Sequence, residues 1–155
     1  MCFSKIWEQL TQPAPPTPEP TIYTPVSNRP IELQEIYNIL LAQFPGIDFD
    51  VIKLSDSVSI LCNMDDVAYF LAEHEANKFP YVAEYYDCDD YALKMAGDFS
   101  IPQWANLCIG EIWTDTHAFN ILINEDKEIL FVEPQTNEIS TELFGSGTKI
   151  TLVKV

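Results

Sequence analysis

The chain has 155 residues, with 24 acidic against 8 basic side chains and a formal charge of −16. That field repels phosphate backbones and anionic membrane surfaces, so it argues against nucleic-acid binding and leaves divalent cations as the partner it most readily attracts. Apolar residues make up 47% and aromatics 12%, enough for one folded domain rather than a disordered chain.

The four cysteines at positions 2, 62, 88 and 108 form no CxxC pair and read as free thiols. The opening "MCFSKIWEQL" lacks the apolar core of a signal peptide, and no run approaches a membrane span. A soluble, cytoplasmic product is the expectation. Residues 1–10 carry Phe3, Ile6, Trp7 and Leu10 at helical spacing, a short amphipathic tail. Residues 11–30 hold seven of the eleven prolines and read as an extended linker. The domain is expected over 31–155.

In "IELQEIYNILLAQF" apolar residues recur at three and four, predicting a helix that Pro45-Gly46 ends. "SVSILC" predicts a short strand. "DDVAYFLAEHEANKF" predicts a second helix capped by Asp65, with His74 on its solvated face. A third helix runs from Asp87 to about Ala96 and is closed by Gly97. Beyond it "ANLCIGEIWT", "HAFNILIN", "EILFVEP" and "KITLVKV" are strand-like runs between polar turns. Helices first and antiparallel strands after make an α+β fold.

Cys88 sits inside "EYYDCDDYA". Flanking carboxylates raise a thiol pKa, whereas a helix N-terminus lowers it. Asp87 is the expected N-cap. His117 opens one strand and Glu133 closes the next. A turn through Glu125, Asp126 and Lys127 sets them directly opposite, on one face of the sheet. There the carboxylate orients an imidazole that serves a thiol. Asn120, three residues on, falls on the other face. A buried, inert cysteine and a hydrogen-bonded structural histidine account for the same residue types. Trp104 and Trp113 fit an aromatic wall or plain core, and Cys62 and Cys108 lie in apolar runs.

The ordered pieces "YYDCDDYA", "HAFN" and "VEPQT" resemble the papain-like cysteine protease domain at the C-terminus of the fairy-ring mushroom agglutinin and related stand-alone domains, some of them phage-encoded. The resemblance spans roughly residues 31–155. It implies a papain-like fold with N-terminal helices packed on an antiparallel sheet, and a calcium-dependent cysteine peptidase acting on peptide or protein. Cys88 is then the nucleophile, His117 the base and Glu133 the orienting acid. It also implies Ca²⁺ held by Asp89 and Asp90, with Asp87 beside them; a bound cation would offset the charge around the thiol. The agglutinin's lectin module has no counterpart here, and no glutamine lies between Phe44 and Cys88 to serve the oxyanion. Two alternatives stand beside the peptidase: a catalytically silent cation-binding interaction module tethered by its N-terminal tail, and a transamidase.

Overall fold

The computed structural model describes residues 23–146 and 149–155. The expected tail at 1–10, and the linker as far as residue 22, lie outside the described residues. Strand β1 (Pro30–Glu32) leads directly into helix α1 (Leu33–Gln43). Ile36 and Leu40, one turn apart, carry the helix's buried stripe. A 3-10 turn over Phe49–Val51 precedes β2 (Ile52–Lys53), and β3 (Val58–Ile60) pairs with β1. Helices α2 (Met64–Glu73) and α3 (Cys88–Phe99) follow, then β4 (Ile109–Thr114), β5 (Ala118–Ile123), β6 (Ile129–Glu133), β7 (Glu138–Ser140) and β8 (Ile150–Lys154).

The main sheet has six strands in the order β2-β8-β4-β5-β6-β7. Every neighbouring pair is antiparallel except β2 with β8, so the sheet is mixed where a purely antiparallel one was expected. Central strand β5 is buried at all six positions, because both of its faces are covered. Phe119, Ile121 and Ile123 pack with Ile36 and Leu40 of α1 on one side. Leu122 and Val132 pack with Val67 of α2 and with Met95 and Phe99 of α3 on the other. Gly110 lets β8 run close to β4: a Cβ there would stand 1.7 Å from the Lys154 carbonyl oxygen.

Local corrections follow from side-chain chemistry. Helix α2 is capped by Asn63, whose Oδ1 accepts from the Asp65 N–H at 2.9 Å, rather than by Asp65. It stops at Glu73, short of the expected end, because His74 leaves the helix in an extended conformation. Helix α3 passes through Gly97 to Phe99. Burying the Phe99 ring is worth more than the ~1 kcal/mol a helical glycine costs.

The β5–β6 register lies two residues beyond the expected one, with Asn120 facing Val132 and Ile121 facing Phe131. The cause is the turn: the Asn124 N–H donates to the Glu128 carbonyl, and the Asn124 side chain accepts from Asp126 and Glu128 N–H. His117 therefore lies diagonal to Glu133 rather than straight across. An even shift keeps both on one face.

The last part of the expected linker is docked. Asp66, fully buried, accepts hydrogen bonds from the Tyr23 hydroxyl at 2.7 Å, the Val26 and Ser27 N–H groups at 3.0 and 2.7 Å, and the Ser27 hydroxyl. The Tyr23 ring stacks on Tyr69 with centroids 3.8 Å apart. Residues 23–29 are thus a strap across α2, held by one buried carboxylate.

Candidate functional site: the start of α3 and the His117–Glu133 pair

The turn before α3 is folded tightly. Glu84 adopts φ +63, and its N–H donates to Asp87 Oδ2 at 3.0 Å. The Asp87 N–H donates in turn to Asp90 Oδ2 at 3.3 Å, and the two residues form a capping box at the helix start. Asp90 thus spends a carboxylate oxygen on the helix itself. The ligand atoms that converge are those of Asp87, Cys88 and Asp89, all within 4.8 Å of one another.

Asp87 and Asp89 behave as a pair. A hydrogen bond between their side chains holds the Asp87 carboxyl below the usual range and pushes the Asp89 carboxyl above it, with burial adding to the rise at Asp89. Two carboxylates this close disfavour ionising together, which is why their pKa values move apart. A cation placed between them would relieve the same repulsion. Oxygen donors suit a hard ion such as Ca²⁺, while the Cys88 sulfur is not a ligand such an ion uses. Of the three expected cation ligands, Asp87 and Asp89 converge and Asp90 does not join them, while Asp87 and Asp90 both also serve the capping box.

His117 and Glu133 meet at the end of β5 and β6. His117 Nε2 lies 2.6 Å from Glu133 Oε2, and Glu133 Oε1 accepts from the Gln135 N–H at 3.3 Å. The His117 backbone is fixed by Thr114, whose N–H and hydroxyl both donate to the His117 carbonyl. The ring leans on Phe119, with centroids 5.6 Å apart, and is roofed by Gly145, where a Cβ would come within 3.4 Å of the His117 Cβ. Gly145 has φ +77, and it is this backbone conformation that suits glycine to the spot. The imidazole thus has one nitrogen anchored, and Nδ1 has no hydrogen-bond partner among the described residues.

The expected constellation is brought together in two halves. No hydrogen bond joins Cys88 to His117 among the described residues. Phe119, on which the ring rests, belongs to the α1 side of the sheet, whereas the body of α3 packs on the other. Asn120 is buried on the α3 side, donating at 3.0 Å to both the Ala92 and Gly110 carbonyls, which ties α3 to the sheet. Cys62 and Cys108 are buried, and burial pushes the Cys108 thiol up to about 12. Trp104 is core, 5% exposed.

His74 corrects the expectation of a solvated residue. It is 5% exposed, with Nε2 at 2.7 Å from Asn137 Oδ1 and Nδ1 accepting from the Ala76 N–H. Asn137 in turn donates to the Leu71 carbonyl at 2.7 Å. Burial pushes the His74 pKa down, against the Asn137 hydrogen bond. Neither this residue nor Asp66 is marked in the sequence, since both look like ordinary polar positions on an amphipathic helix.

Residues 51–147 match a family model described as the ricin-type beta-trefoil lectin C-terminal domain. Among curated proteins none matches. Among solved structures, one described as the PSL1a–E64 complex aligns with a TM-score of 0.61 at 22% identity, over 74% of this chain and 48% of that one. The Polyporus squamosus lectin, bound to the human-type influenza-binding epitope Neu5Aca2-6Galb1-4GlcNAc, aligns with a TM-score of 0.60 at 21% identity, over 74% and 46%. The chain thus spans about half the length of the structures it matches. These findings correct the assignment to papain-like cysteine peptidases: the family returned is a lectin C-terminal domain, and the solved neighbour named by function is a lectin. The peptidase, hydrolase and transamidase readings are set aside with it, as is the peptide substrate. Among the described residues no helix is long and apolar enough to cross a membrane.

Proposed function

The chain belongs to the ricin-type beta-trefoil lectin C-terminal domain family, and we propose that it is an accessory module of an agglutinin-type protein that binds a divalent cation through its own acidic cluster. The observation that carries the reading is the convergence of the Asp87 and Asp89 carboxylates at the start of α3. The surrounding chain prepares them: the Glu84 N–H orients Asp87, and Asp90 fixes the helix start without competing for the ion. Ca²⁺ is the cation best suited to such oxygen donors, and when bound it supplies positive charge that offsets the acidic surroundings of Cys88. In a chain of charge −16, that neutralisation also favours a compact fold.

The test is calorimetric titration of the chain with Ca²⁺ and with Mg²⁺ at fixed ionic strength, for wild type and Asp89→Asn. Saturable Ca²⁺ binding that the substitution abolishes is the expected result. Heat indistinguishable from dilution, or equal binding by the variant, overturns the reading.

The glycan named for the lectin neighbour supports a second reading, in which the module contributes to carbohydrate recognition. That epitope carries a sialic acid carboxylate, so an acidic domain would engage it through a bound cation rather than directly. Glycan-array binding by the isolated chain, with Ca²⁺ and with chelator, separates the two: cation-dependent glycan capture favours the second.

A further inference from the structure

A cleft of about 410 Å³ opens between α2 and the C-terminal end of α3, away from the Asp87–Asp89 pair. Three aromatic rings line it in near-parallel planes: Tyr69 lies 11° from Tyr23 and 4° from Trp104. Tyr69 is 38% exposed. Parallel rings cannot box a rounded ammonium group; they offer a flat face against which a flat group stacks.

The polar lining is acidic. Lys94 pairs with Asp98 through Oδ1, and Asp98 Oδ2 is buried without a hydrogen-bond partner among the described residues. Glu75 is paired with Lys78 at 3.4 Å, whereas exposed Glu73 takes part in no ion pair among the described residues. A stacking plane beside the exposed Glu73 carboxylate, which takes part in no ion pair among the described residues, on a molecule of charge −16, matches a planar cation that also donates hydrogen bonds. Among side chains only the guanidinium of arginine combines these properties.

We propose that this cleft is a docking site for an arginine side chain of a partner protein. The guanidinium stacks on Tyr69 and donates to the exposed Glu73 carboxylate, both of which line the cleft. The occupant comes from a partner of a different sequence. This chain contains a single arginine, Arg29, whose Nη1 is already bound to the Glu125 carbonyl at 2.6 Å. The strap contributes Tyr23, which stacks on Tyr69 beside the cleft.

The experiment titrates the full chain with a short peptide holding one central arginine, and with the same peptide carrying lysine or the neutral isostere citrulline. Binding is followed by NMR shifts of Tyr69 and the Trp104 indole. Arginine is expected to bind roughly tenfold more tightly than lysine, and Tyr69→Ala and Glu73→Gln are each expected to weaken it threefold to tenfold. Both positions are exposed, so the variants should fold, and far-UV circular dichroism confirms that they do. Equal affinity for lysine or citrulline, binding unchanged in both variants, or shifts produced by neutral methyl glycosides in place of arginine would each overturn the proposal.

Discussion

At the scale of single residues, the molecule's stability leans on two buried polar groups. Asp66 is fully buried yet accepts four hydrogen bonds from residues 23–27. Burial alone would raise its pKa, but the bonds from Ser27, Tyr23 and the Val26 N–H outweigh it and hold the carboxyl below the usual range. A depressed carboxyl stabilises the fold fully above its unfolded pKa, near 4, and loses that contribution as pH falls through the lower folded value. Asp66→Asn should therefore cost about 2–3 kcal/mol at neutral pH, the scale of charge-assisted hydrogen bonds lost from a buried acceptor. Urea denaturation checks this, and the gap between wild type and variant should narrow below about pH 4. His74 works in the opposite chemical sense over a higher window. Its neutral form is favoured by burial, so the unfolded chain takes up the proton first as pH falls from about 7. Stability present above the unfolded pKa is then lost toward the folded one. The urea midpoint of wild type should drop between about pH 7 and pH 5, and His74→Gln, which keeps a polar amide beside Asn137, should flatten that slope.

At the scale of elements, the start of α3 carries two duties that single substitutions can separate. Asp90 caps the helix and Asp89 does not, since the box runs between Asp87 and Asp90. Asp90→Ala should lower stability by about 1 kcal/mol with or without Ca²⁺. Asp89→Asn should leave apo stability nearly unchanged, or raise it slightly by removing carboxylate repulsion, while abolishing any Ca²⁺-induced rise in melting temperature. A common loss in both variants would mean the cluster is only a helix cap. The helices α1, α2 and α3 and strands β3, β4, β5, β6 and β8 were legible because their apolar periodicity and turn residues act locally. Strands β1, β2 and β7, like β3, are only two or three residues long, too short to show a period of their own; β3 was visible only through the longer run "SVSILC" that contains it. The side on which His117 meets Glu133 was readable from strand alternation, while the register was not, since it depends on the Asn124 turn. Where the Cys88 sulfur lies relative to the imidazole is a matter of how α3 is seated on the sheet, and nothing in local sequence encodes that.

At the scale of the whole molecule, the dominant fact is the excess of sixteen negative charges on one domain. Favourable ion pairs among the described residues are few: Lys127 with Glu35, Lys94 with Asp98, Lys78 with Glu75, and Lys154 with Glu111 beside the His117–Glu133 pair. Most acidic groups therefore repel one another across the surface, and the fold holds against this through the two apolar layers on either side of β5. Screening should relieve that repulsion. Raising NaCl from about 0.01 M to 1 M shortens the Debye length from about 30 Å to 3 Å, so melting temperature should rise with salt instead of falling. This general effect must be distinguished from a cation site. At matched ionic strength, Ca²⁺ should raise the melting temperature beyond NaCl, in a saturable way, and Asp89→Asn should lose the extra increment while keeping the NaCl response. If Ca²⁺ and NaCl act alike in both proteins, the acidic surface is responding as diffuse charge and Asp87 and Asp89 hold no ion. If stability falls as salt is added, the ion pairs outweigh the repulsion between the acidic groups.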